Sequence, residues 1–163
     1  MEAETPSFSA VDVGATLQSL LRDRSQLITE GDYQVSVEND VGPLHTWPRG
    51  LTQVFANLID NALKYSRGVP SPRLEITGEA LAASDRFTIR DNGIGFDMKY
   101  HDRIFGLFNR LVRAEEFEGT GAGLAIVKKL VDKLGGQIWA ESAPGAGAAF
   151  FVELPRQPQE AQP

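Results

Sequence analysis

The chain has no cysteine among its 163 residues, which excludes disulfides, thiolate metal sites and a cysteine nucleophile and fits a reducing compartment. Histidine is almost absent too. His45 and His101 are isolated from one another, so a histidine-rich metal cage is ruled out. No run approaches the roughly 18 apolar residues of a membrane span, and the acidic N-terminus lacks the basic-then-apolar pattern of a secretory leader. Basic charge is also in deficit: Lys and Arg total 16 against 22 Asp and Glu, a net charge of −6, which argues against a broad surface for DNA or RNA. These absences predict a cytoplasmic protein with no nucleic-acid partner and no direct membrane contact, while leaving room for a small local anion site.

What is present fits one folded domain. Hydrophobic residues make up 42% of the chain and charged residues 23%, ordinary values for a globular protein with a core of its own. Residues 1–10 are polar and read as a disordered or linker segment, and 156–163 read as a disordered tail, leaving 11–155 as the domain. Leu17, Leu20, Leu21 and Leu27 after Asp12 predict a helix over about 13–29, and Tyr33, Val35 and Val37 alternate as in a half-buried strand. The strongest periodicity runs from Arg49 to Tyr65, where Leu51, Val54, Phe55, Leu58, Ile59, Ala62 and Leu63 recur at helical spacing. Strands are predicted over about 73–80, 85–90, 137–142 and 148–154, with a helix from Leu124 that Gly135 and Gly136 end. A glycine-punctuated stretch between Gly93 and Gly123 reads as a long functional loop. This order, without repeats, predicts an α+β sandwich with helices on one face of a sheet.

Three segments carry chemistry. Asn57, Asn61 and Lys64 lie at i, i+4 and i+7 of the best helix and form one polar stripe. Such a stripe is either solvated or faces a polar ligand, in which case amide oxygens suit a hard cation such as magnesium and the ammonium suits a phosphate. Asp91-Asn92-Gly93-Ile94-Gly95 follows a strand and is either a turn or a site where glycines let a flat ligand approach while Asp91 accepts from an exocyclic amine. Adenine has that amine where guanine has a carbonyl, so the pattern favours ATP. Gly119-Thr120-Gly121-Ala122-Gly123-Leu124 opens a helix and offers unpaired N–H groups to a triphosphate, although it matches neither the P-loop nor the GxGxxG fingerprint.

Taken in order with Phe105-Gly-Leu-Phe108-Asn-Arg110 and Gly145-Ala-Gly147, these segments resemble the successive boxes of the catalytic, ATP-binding domain of sensor histidine kinases, over about Val11 to Leu154. The stretch Gly135-Gly136-Gln-Ile-Trp139-Ala-Glu-Ser142 is similar to phytochrome-type kinases. The resemblance implies a Bergerat ATP fold: a two-layer α+β sandwich, a mixed sheet backed by helices on one face, with a flexible ATP lid at about 96–120. It implies ATP and Mg2+ as cofactors, with Asn61 on the metal and Asn57 beside it. Lys64 would lie near the phosphates, Tyr65 would border the nucleotide, and Asp91 would read the adenine amine. Gly93, Ile94 and Gly95 would shape the base pocket. Gly119, Thr120, Gly121, Ala122, Gly123 and Leu124 would close over the phosphates, and Arg110 would reach the γ-phosphate. Related chaperone, topoisomerase and mismatch-repair ATPases carry a glutamate base where Asn57 stands; an amide cannot take that proton, so the nucleophile should arrive from elsewhere.

That nucleophile would be a histidine on a dimerisation domain, with a response regulator downstream and this domain a monomer by itself. A phosphoacceptor histidine of this family precedes the domain on a helix, whereas His45 is followed by Thr46 and Trp47 and His101 falls in the lid, so the acceptor is expected in a longer protein or in a separate partner. Three departures from the family pattern stand out: Trp47 where a capping aspartate is usual, Ala122 in the glycine loop, and Ala148 and Ala149 where hydroxyl residues are common. Two rival readings are a nucleotide-dependent regulatory module, anti-sigma-like or pseudokinase, and a hydrolysing ATPase of the chaperone type.

Overall fold

Pro48 occupies the first turn of the longest helix, where its missing N–H costs nothing and its fixed φ suits the helix. In the computed structural model, which describes residues 5–106 and 123–156, that helix runs over Pro48–Ser66. The elements in chain order are β1 (Ser9–Val11), α1 (Val13–Asp23), α2 (Ser25–Glu30), β2 (Gln34–Asn39), β3 (Leu44–Thr46), α3 (Pro48–Ser66), β4 (Arg73–Ala80) and β5 (Ser84–Asp91). Two short 3-10 turns follow, Met98–Tyr100 and Arg103–Phe105, and then α4 (Gly123–Lys133), β6 (Gln137–Ser142) and β7 (Ala148–Pro155).

Five strands form a mixed sheet in the order β2-β4-β5-β7-β6; β2 and β4 are parallel and every other pair antiparallel. The helices lie on one face, so the architecture is the two-layer α+β sandwich predicted. The apolar stripe of α3, all seven residues of it buried, packs on Leu74, Ile76, Phe87, Ile89 and Val152 of the sheet. Phe55 and Phe87 meet edge to face at 5.2 Å, an arrangement that opposes the negative ring face of one to the positive edge of the other. Each such side chain adds about 1.5–3 kcal/mol by leaving water.

Three details differ from the expectations. The helix predicted over 13–29 is two helices broken at Arg24 (φ −105°, ψ 11°). Its guanidinium grips Asp60 of α3 with Nε–Oδ1 2.6 Å and Nη2–Oδ2 3.1 Å, a bidentate pair that anchors the break to the neighbouring helix. Ser9 and Ala10, placed in a disordered segment, form β1 with Val11 and pair antiparallel with β3. Arg156, placed in the tail, donates to the carbonyls of Leu81 and Ser84 and to Asp85, closing the β4–β5 turn. The missing cap of α3, by contrast, is as expected, since Trp47 makes no side-chain capping bond. The indole is instead 5% exposed and lies so close over Gly50 that a Cβ there would meet the ring.

Candidate functional site

The chain turns sharply after β5, and that turn meets the C-terminal end of α3. Ile94 N donates to the carbonyl of Tyr65 at 3.1 Å, and a Cβ on Gly93 would strike that same carbonyl. Gly93 is therefore glycine because two backbones touch. This contact sets the last turn of α3, with Lys64 and Tyr65, against the turn that carries Asp91, Gly93, Ile94 and Gly95; Asn61 lies one turn earlier on the same helix. Gly95 (φ 67°) and Gly147 (φ 77°) adopt the left-handed conformation that favours glycine, each pressed against backbone. Gly145 N donates to Ile94 O at 2.7 Å, so the 143–147 turn supports the other side.

Asp91 is 7% exposed, at the last position of β5. Burial pushes its carboxyl up to about 6, against the pull of the backbone N–H groups of Gly93 (2.7 Å) and Ala148. Two backbone donors leave the carboxylate further acceptor capacity for a ligand. The neighbouring Asn92 acts on the backbone instead. Its Oδ1 accepts from Arg73 N at 2.7 Å and its Nδ2 donates to Ser71 O at 3.0 Å, stapling the turn to the start of β4.

On α3, Gln53 Nε2 donates to Asn57 Oδ1 at 3.3 Å, while Asn57 Nδ2 is buried without a partner among the described residues. A buried orphaned amide costs about 1–3 kcal/mol, which a bound polar ligand would recover. Lys64 Nζ lies 5.3 Å from the Tyr65 ring centroid, and burial raises the Tyr65 phenol above its ordinary range. No group of three or more His, Asp or Glu able to hold a metal occurs among the described residues. Two neutral amides fit magnesium only as partial ligands, with phosphate oxygens completing the shell. Gly123 and Leu124 open α4 and are described, whereas Arg110, Gly119, Thr120, Gly121 and Ala122 lie outside the described residues.

Ser142 is the residue that motif reading missed. Its hydroxyl donates to Gly147 O at 2.6 Å and accepts from Phe96 N at 2.8 Å, tying together the segments on either side of Asp91. It stood in view within the Gln137–Ser142 stretch, but nothing local marks a strand-end serine as a bridge. A cleft of about 360 Å3 opens beside Asp91, Asn92, Ser142 and Gly147 and continues along Glu75, Arg90, Ala149 and Glu141, which form one cross-strand row.

The mixed sheet, the amide-bearing helix and the buried strand-end carboxylate define a Bergerat-type ATP-binding sandwich. Residues 47–158 match the family described as histidine kinase-, DNA gyrase B-, and HSP90-like ATPase, and the chain belongs to that family. It is 38% identical to cyanobacterial phytochrome A of Nostoc sp. over 158 residues, covering 95% of this chain and 20% of that protein. The sensor protein kinase WalK of Staphylococcus saprophyticus is 46% identical over 112 residues, 66% of this chain and 18% of that one. Full-length ShkA, solved in complex with AMPPNP, superposes with a TM-score of 0.83 at 25% identity, over 98% of this chain and 33% of that one. The chain thus spans about a fifth of the length of the curated relatives it matches. Sensor histidine kinases carry this domain, and nucleotide binding is the family's shared property. No helix among the described residues is long and apolar enough to cross a membrane.

Proposed function

We propose that this domain binds Mg-ATP and transfers its γ-phosphoryl group to a histidine on a dimerisation domain, from which a response regulator then receives it. The observation that carries the reading is the pairing of a buried acceptor, Asp91, with an orphaned buried amide, Asn57, on two elements that touch through Tyr65 and Ile94. Asp91 accepts from the adenine amine; Asn61 and Asn57 attend magnesium and the phosphates; Lys64 balances phosphate charge. Magnesium, held by these amides and the phosphates, would neutralise charge developing on the transferred group. With an amide at position 57 and no carboxylate there to deprotonate water, the site holds ATP until an imidazole nitrogen attacks in line.

The test supplies the acceptor. Incubated with γ-labelled ATP and a separately produced histidine-bearing dimerisation domain, the chain labels that domain with acid-labile phosphate. Acid-stable label would point instead to serine and an anti-sigma-like module, and ATP binding without any label to a pseudokinase. Appreciable hydrolysis without an acceptor would favour the chaperone-type ATPase.

A further inference from the structure

Beyond the nucleotide site, the stretch following Gly95 is held on the sheet by an uncommon contact. Among the described residues β6 is an edge strand paired with β7 alone, so amides on its outer side meet no described strand. Ala140 N, on that side, donates to His101 Nε2 at 3.0 Å. Because Nε2 accepts, the ring proton sits on Nδ1, which faces Asp102 Oδ1 at 3.0 Å. Two residues along the same strand, Ser142 Oγ takes the N–H of Phe96. His101 also meets Phe105 edge-on at 5.6 Å, and Phe105 meets Phe150 of β7 at 6.2 Å. The imidazole therefore secures both the edge of β6 and the aromatic contact that closes the segment over the core.

A second proton on Nε2 would remove the acceptor and set one N–H against another. We propose that His101 is the positioning residue for residues 96–106 and a protonation-sensitive latch, holding the segment on β6 while the ring is neutral and releasing it on acidification. The charged groups on the surrounding elements are Lys99, Asp102 and Arg103 on the segment itself, Glu141 on β6, Glu153 on β7, and Lys128, Lys129, Asp132 and Lys133 on α4. Lys99 and Arg103 lie over the Tyr100 ring, Lys128 pairs with Asp132, and Glu153 pairs with Arg86. Among the described residues, Asp102 is the charged group that meets the imidazole, at a nitrogen that is already protonated.

Amide hydrogen exchange at Ala140, measured without nucleotide and referenced to the core amides of Phe87 and Ile89, tests the latch independently of ATP binding. The wild-type protection factor should fall about tenfold between about pH 8 and about pH 5.5. His101→Gln, whose amide oxygen accepts at any pH, should keep protection at both values, and His101→Phe should lack it at both. Imidazole 15N shifts should report the Nδ1–H tautomer at the upper pH. Flat wild-type protection, a Gln variant that loses protection in parallel with wild type, or a Phe variant as protected as wild type would each overturn the proposal.

Discussion

Asp91→Asn should reduce ATP affinity by about 100-fold and abolish the preference for ATP over GTP, read by titration with each nucleotide. An Asn side chain keeps one acceptor oxygen: with that oxygen on the Gly93 N–H its nitrogen meets the proposed adenine amine, donor against donor, and turning the amide moves the same conflict to the backbone. The variant should at the same time be more stable than the parent without nucleotide. Asp91 titrates at about 6 in the folded chain against an ordinary value of 3.8, so the native state binds the extra proton between those values and stability declines as pH rises through them. Above that window the fold holds an ionised carboxylate in a poorly hydrated place. Removing the charge should raise the unfolding free energy by about 2 kcal/mol at about pH 8 and leave it unchanged near pH 4, measured by denaturant titration at both. A variant that loses both stability and affinity would indicate that Asp91 serves the fold rather than the ligand.

The second large effect is expected from Gly93→Ala. The new methyl group would meet the Tyr65 carbonyl carbon at 2.6 Å and Asp91 Oδ1 at 2.9 Å, and the Tyr65 carbonyl oxygen closer still. Those are backbone and anchored atoms, so the turn must leave α3 and surrender the Ile94–Tyr65 hydrogen bond. We expect a loss of about 2–4 kcal/mol in unfolding free energy and at least about a tenfold loss of ATP affinity, because the two walls of the site separate. Gly42→Ala provides the control: no atom lies within 4 Å of a Cβ there, and the change should be nearly neutral. Equal effects at the two positions would mean that the close approach of α3 and the Asp91 turn is unimportant.

The parts legible in the chain were those whose information is local. The α3 stripe was readable because nineteen residues of helix repeat one pattern five times over, and β4 through β7 because each is a run of six to eight residues bounded by turn residues. β1 and β3, three residues each, are too short to show a period. The break at Arg24 was invisible because its partner, Asp60, is 36 residues away, and propensity alone runs the helix straight through. At the site, the residue types of Asn57, Asn61 and Asp91 announced a polar purpose. Their condition did not: the strength of the perturbation at Asp91 depends on its depth and on the Ala148 amide, which only the β5–β7 register supplies. The alanine at 148 still contributes a donor, since the bond to Asp91 runs through its backbone. Ser142 was hidden for a similar reason, its two partners lying on different segments.

The small β1–β3 ladder also has a mechanical meaning. Ser9 faces Thr46, and Thr46 is followed directly by Trp47 and the first residue of α3. A displacement imposed on the chain just before Ser9 is thus delivered, through one pair of strands, to the root of a stiff rod. Asn57 stands nine residues along that rod from Pro48, about 14 Å at the helical rise. The ladder thus ties the Ser9–Val11 strand to the helix that carries the amide stripe, where phosphates are proposed to sit.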